Sequence, residues 1–336
     1  MTSCLLSLPQ ELFDSLIHYL RKEHARKLLE ASNLVYKKGI DAFDKEYFRI
    51  LPAELSCEGL HNTEEILNDA NALYIRTICF KASWRRYRDS FEEIHSRLDS
   101  ILTKALRASP RFKTITYYQD PNTLSNGCTN ALILSILAGT VEEISTRQNR
   151  SIKVRLENLN PQDLDLLDDW TTFLGLVYCI KLRITDEDSI GRVLIRKIRT
   201  PLSLLSSLKE LFISINDDRL LYQTTVSDIM ASLHSRELES LTIKGFFASY
   251  ETVKKILQPF QTSLKKLILK RAHIEDSSLV ELIDYIRDHF SLDYVHFSDI
   301  GQEEYPRLIH EARFCGGNIK AGLDILKSDV LDKLAH

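Results

Sequence analysis

Leu208-Lys-Glu-Leu211-Phe-Ile213 returns as Leu238-Glu-Ser-Leu241-Thr-Ile243, as Leu264-Lys-Lys-Leu267-Ile-Leu269 and as Leu292-Asp-Tyr-Val295-His-Phe297. Each has the form L-x-x-L-x-L with aliphatic or aromatic substitutes, and successive starts lie 30, 26 and 28 residues apart. Successive residues of a strand face opposite ways, so x-L-x-L makes a short strand with one apolar side. One such strand cannot bury that side alone, and stacked copies can. The shape extends backwards through Cys179-Ile-Lys-Leu182-Arg-Ile184, Val141-Glu-Glu-Ile144-Ser-Thr146, Phe112-Lys-Thr-Ile115-Thr-Tyr117 and Ile75-Arg-Thr-Ile78-Cys-Phe80.

Recurrence at a period in the twenties resembles a leucine-rich repeat. Helical periodicity fills the gaps: residues 83–106, 129–137, 163–176, 226–233, 250–257 and 277–290, with Asn160-Pro161 as a start signal. Strand then helix, repeated, predicts an α/β solenoid over residues 74–310. Its parallel strands lie inside, its helices outside, and its crossovers are right-handed. End repeats expose half a core. Residues 311–336 are expected to cover one end as a capping helix through Leu323, Ile325, Leu326, Val330, Leu331 and Leu334, after a Gly316-Gly317 turn. Residues 51–73 read as a linker, with Pro52, Gly59 and Asn62 as loop markers and Asn62 or Thr63 capping a helix from Glu64.

The 336 residues are 44% hydrophobic, enough for a large core and too many for a disordered chain. The formal charge of −3 does not suit a general nucleic-acid binder. Six cysteines lack CxxC spacing or a His cluster, and read as reduced thiols. Met1-Thr-Ser-Cys-Leu-Leu lacks a basic leader, and the apolar run 131–138 is too short for a bilayer. A cytoplasmic or nuclear setting is expected. None of GxGxxG, GxxxxGK[ST], HExxH or GxSxG occurs, so no enzyme, no catalytic residue, no metal and no cofactor is expected. Asp186-Glu187-Asp188 and Asp217-Asp218 read as solvated loops. Arg85-Arg86-Tyr87-Arg88 reads as a solvated helix face, and Asn149-Arg150-Ser151 as a chance sequon.

Residues 5–50 form a separate set of short helices. Ser7 is placed to cap the first, with Gln10 completing a capping box. Leu12, Leu16, Tyr19 and Leu20 recur at helical spacing. Leu8-Pro9-x-Glu11-Leu12, followed by Leu16, Ile17, Tyr19 and Leu20, resembles the opening of an F-box, a three-helix module. Ser32-Asn33 stands at its later Ser-basic step. Glu23-His24-Ala25 replaces the family's Asp-Leu, and Asn33 its basic residue. An F-box ahead of leucine-rich repeats resembles a family of ubiquitin-ligase substrate receptors, many divergent fungal ones among them. That resemblance implies a substrate-recognition subunit of an SCF-type cullin–RING ligase. Leu8, Pro9, Leu12, Leu16, Ile17 and Leu20 would then meet the adaptor, and through it the cullin, some of them also holding the module together. The alternative is a repeat scaffold with no ligase link, its N-terminal helices serving as a cap.

If the Leu and Ile of each repeat face the core, the alternating positions face a concave surface. Among 24 such positions, seven are Lys or Arg and two are Glu, against −3 for the whole chain. Lys181, Arg183, Lys244, Lys266 and Lys270 could hold an acidic or phosphorylated protein target. Phe212, Ile268, Tyr294 and His296 would add apolar and aromatic contact. Equally, lysines on such a face can simply keep it soluble. No membrane and no nucleic acid is expected as partner.

Overall fold

The computed structural model describes residues 5–47, 49–82, 91–119, 127–148, 152–159, 163–164, 167–184, 199–215, 223–275, 279–302 and 305–335. Two compact units divide the chain: Met1–Tyr117 with Glu143–Ile152, and Tyr118–Glu142 with Lys153–His336. The sequon, the Arg85–Arg88 cluster and the two acidic stretches lie outside the described residues.

The first unit opens with α1 (Gln10–Tyr19), α2 (Lys22–Glu30) and α3 (Asn33–Tyr47). They close around Phe13, Ile17, Ala25, Leu29, Val35 and Phe43. The pairs 13/17 and 25/29 are four residues apart, so each falls on one helix face. A Cβ on Gly39 would sit 2.6 Å from Leu29 Cδ2 and Phe13 Cε1, so glycine is what lets α3 pack this closely. Helix α1 begins two residues later than a Ser7 cap implies. Pro9 holds the cap position with no side-chain bond. Gln10 Nε2 donates to Asp14 Oδ1 at 2.7 Å and to the Lys38 carbonyl at 2.9 Å. Lys38 Nζ donates to the carbonyls of Leu6 and Leu8, so α3 clamps the segment ahead of α1. Ser32 caps α3, its Oγ accepting from Val35 N at 3.2 Å.

Residues 51–73 are no linker. They hold most of β1 (Ile50–Glu54) and all of α4 (Cys57–Leu67), one strand–helix repeat. Leu51 and Ala53 turn inward, and β1 runs parallel to β2 (Thr77–Ala82) with Leu51 beside Ile78 and Ala53 beside Phe80. Pro52 points outward from an edge strand, where a missing N–H is tolerated. The cap of α4 is Ser56, whose Oγ accepts from Gly59 N at 3.1 Å, so Asn62 and Thr63 lie inside the helix. β2, α5 (Phe91–Ala108) and β3 (Thr114–Gln119) continue the alternation, with β1, β2 and β3 side by side in that order.

The rung expected at Val141–Thr146 is part of a helix, α6 (Gly127–Gln148). L-x-x-L shares its three-residue step with a helical face. Here Ile133, Leu134, Leu137 and Ala138 run into Val141 and Ile144 as one buried helical stripe. Glu143 and Arg147 pair on that helix rather than on a strand. The strand itself comes later, as β4 (Lys153–Leu159).

In the second unit β4 is followed by α7 (Thr171–Leu176), β5 (Val177–Ile184), β6 (Glu210–Ile215) and α8 (Gln223–Ser232). Next come β7 (Ser240–Ser249), α9 (Tyr250–Leu257), β8 (Lys266–Glu275), α10 (Leu279–His289) and β9 (Tyr294–Gln302). Strands β4 to β9 are parallel neighbours in chain order. Ile180, Leu211, Leu241, Leu267 and Val295 share one row, and Leu182, Ile213, Ile243, Leu269 and Phe297 the next. All ten are buried. The four late repeats are therefore adjacent rungs of a leucine-rich-repeat-type stack. On β5 the sequence frame slips by two residues: Ile180, not Leu182, aligns with Leu211. A two-residue slip leaves each side chain on its expected face, because the strand period is two.

Three successive strands turn a left-handed corner at one level: Gly245 (φ 75°), Arg271 (φ 50°) and Asp299 (φ 52°). A Cβ on Gly245 would approach the Ile215 carbonyl oxygen to 2.1 Å, so that rung needs glycine. Residues 311–315, expected within a capping helix, belong instead to β10 (Tyr305–Cys315), antiparallel to β9. Exposed His310, Glu311 and Arg313 suit a sheet edge and hide its strand character in the sequence. The helix follows as α11 (Ile319–Leu334), burying Ile319, Leu323, Leu326 and Val330 and leaving Ile325 and Leu331 exposed. Lys327 to Asp284 at 2.6 Å and Arg287 to Asp324 at 2.7 Å tie α11 to α10.

Candidate functional site

The side of β5–β9 opposite the buried rows carries three further rows, each extended by β10. The first is Cys179, Glu210, Ser240, Lys266, Tyr294 and Cys315. The second is Lys181, Phe212, Thr242, Ile268, His296 and Arg313, and the third Arg183, Ser214, Lys244, Lys270, Ser298 and Glu311. A depression of about 440 Å³ lies over them, lined by Lys181, Phe212, Lys244, Lys266, Ile268 and Lys270 among others. These six were legible as one surface in the sequence. Arg183, Tyr294 and His296 share the rows without lining the depression.

Three lining or flanking residues were missed. Arg155 and Glu157 come from β4, the strand the sequence frame placed elsewhere, although Val154-Arg155-Leu156 shows the required alternation. Cys179 was read as core; Glu210 keeps its expected column, whereas Lys181 and Arg183 each stand one column from where the sequence frame put them. Arg155 approaches Glu157 at 2.6 Å and Glu210 at 3.7 Å, and Lys181 meets Glu157 at 2.8 Å. One end of the face is thus neutralised internally. Burial pushes the Cys179 thiol up to about 12, against the nearby Arg155 charge, so it is a neutral thiol at physiological pH.

His296 stands in the second row of the face but is only 3% exposed. Its Nε2 accepts from Arg313 Nε at 3.3 Å, and its ring meets Tyr294 edge-on at 6.3 Å. Burial, with Lys270 and Arg313 nearby, lowers its pKa, which favours the neutral ring. Glu311 is held ionised by Arg313. Lys266 Nζ stands 5.5 Å from the centre of the Tyr294 ring, a cation–π contact. Among the described residues, Lys244, Lys266 and Lys270 have no carboxylate within ion-pair distance. The cations without an acid therefore gather on β7 and β8.

The helical module presents a different surface. Of the residues expected to meet an adaptor, Pro9 is exposed and Leu12 is 57% exposed. Leu8 and Leu20 pack partly against the module core, and Leu16 is half-buried. Ile17 is fully buried and is a core residue, not a contact, because it shares the inward stripe of Phe13. Tyr19, Leu34 and Tyr36 are also exposed and were not in the expected set.

No protein-family model matches the chain, and no curated protein matches it. Among solved structures it is similar to the leucine-rich-repeat-containing protein LegL7 from Legionella pneumophila. That likeness has a TM-score of 0.38 at 10% identity, over 84% of this chain and 98% of that one. The repeat class rests instead on this chain's own strand register. Among the described residues no helix is long and apolar enough to cross a membrane, and no group of three or more His, Cys, Asp or Glu could hold a metal ion.

Proposed function

We propose that the chain is a receptor with two docking surfaces: a substrate-recognition subunit of an SCF-type cullin–RING ubiquitin ligase, working in the cytoplasm or nucleus. The helical module takes the adaptor, and the open face of β5–β9 takes a protein target. The observation that carries this reading is the module's unfinished burial. It closes a core around Phe13, Ile17 and Val35, yet leaves Leu12, Tyr19, Leu34 and Tyr36 uncovered. Exposed large apolar side chains mark candidate interaction surface, and Leu12 and Tyr19, seven residues apart, share one face of α1. The chain itself performs no chemistry in this reading. It holds a target's lysines near the ubiquitin-loaded conjugating enzyme, and the gain is proximity.

The test is affinity purification of the full chain with proteasome activity blocked, read by mass spectrometry. Adaptor and cullin should co-purify, and Leu12→Glu with Leu34→Glu should remove both. Failure of the unaltered chain to capture an adaptor would sink the ligase reading and leave a repeat scaffold.

A further inference from the structure

β10 is the last strand of the sheet, and its outer edge meets no further strand among the described residues. Gly316 N donates to the Asp293 carbonyl at 3.0 Å, and Tyr294 N to the Lys265 carbonyl on the β8 side at 3.1 Å. Val295 and Phe297 therefore turn their backbone groups towards β10, where they stand opposite Phe314 and Ala312. By the same alternation Glu311, Arg313 and Cys315 point their N–H and C=O groups away from the sheet. Helix α11 does not close this edge. It lies beneath β10, where a Cβ on Gly322 would come within 2.2 Å of Phe314 Cδ1, and its ion pairs hold it to α10. At about 100° per residue, Ile325 falls on the flank turned away from α10, and it is 72% exposed.

We propose that β10 pairs antiparallel with β10 of a second copy of the chain, about a two-fold axis at Ala312. The strand carries its own complement. With the axis there, Glu311 stands opposite the partner's Arg313, and Arg313 opposite the partner's Glu311. These are positions where both chains direct backbone groups outward, so a hydrogen-bonded pair and an opposite-charge pair form together on each side of the axis. Glu311 and Arg313 already pair along the strand, and their side chains stay 48% and 60% exposed, open to a facing chain. Charge on an edge strand deters indiscriminate pairing, and here its order selects one register. An axis at Glu311 or at Arg313 sets like charges against each other. The dyad stands normal to the sheet, so it also places the two α11 flanks side by side, each with Ile325 exposed. That adds apolar area to what a strand pair supplies. The pairing joins two open faces into one continuous sheet, and it stands independently of the receptor reading.

The experiment is sedimentation equilibrium of the full chain over a micromolar concentration series. A dimer is expected. Glu311→Arg should weaken dimerisation about tenfold or more, because both charge pairs become repulsive. Glu311→Arg with Arg313→Glu should restore it, since the double reversal keeps the complement. Both side chains are exposed, so thermal melting of the variants should show the fold intact. Ala312→Cys with Cys315→Ser should form an intermolecular disulfide in air, because the axis brings the two copies of position 312 together as a non-hydrogen-bonded pair about 4.5 Å apart at Cα. A monomer at every concentration would overturn the inference, even if a strand of some other protein adds to the edge. So would a dimer indifferent to Glu311→Arg, or one that the double reversal does not restore. Absence of the disulfide would refute the axis at Ala312.

Discussion

The helical module and the open strand face both lack a covering element among the described residues, and they leave opposite chemistry uncovered. The module exposes Leu12, Tyr19, Leu34 and Tyr36. The face exposes Lys244, Lys266 and Lys270 around Phe212 and Ile268. Apolar surface binds by leaving water and is little affected by salt. Cationic surface binds by charge and is screened over about 8–10 Å at physiological ionic strength. One chain therefore carries two surfaces of different chemistry.

The largest expected effects test which apolar residues belong inside. Ile17→Ala should cost about 2–5 kcal/mol and unfold the module in a denaturant titration, because it opens a cavity. Leu12→Ala, one turn away and exposed, should stay within about 0.5 kcal/mol while adaptor capture falls. If the two behave alike, the inside–outside division of the module is wrong. Leu241→Ala should cost about 2–5 kcal/mol on the same ground, since its rung is filled from both neighbours.

Smaller effects sharpen the charged side. Raising salt from about 50 to 300 mM should weaken target capture strongly and adaptor capture little. Lys244→Ala without ligand should raise the melting temperature slightly, corresponding to a few tenths of a kcal/mol, through relief of the Lys270 contact. A fall instead would show that the pair already has a counter-charge. Arg271→Gly should add about 0.5 kcal/mol by relieving its left-handed backbone.

The smallest effect is in pH. The folded pKa of His296 lies below its unfolded value, so the unfolded chain takes the proton first as pH falls. Stability is full above about 6.5 and declines below it towards the folded pKa. His296→Gln should remove that part of the acid-side loss, measured by melting at pH 7 and pH 5.

The late repeats were readable because Leu211, Leu241, Leu267 and Val295 each begin a two-residue alternation, and the same pattern recurs four times. Val141 and Ile144 satisfy a helix equally well, and the longer stripe from Ile133 decided for the helix. Pro52 and the charges of β10 read as loop and cap, since sequence alone does not say which strand lies at a sheet edge.

Sequence by itself determined the alternation of strands and helices, the apolar rungs and the lysines opposite them. These are properties of period, and period is local. Tertiary structure decided register: that Lys244 stands beside Lys270, that Arg155 and Glu157 neutralise one end, and that Ile17 is hidden where Leu12 is not. Register is set by which side chains pack across strands and between helices, and those contacts join residues far apart in the chain.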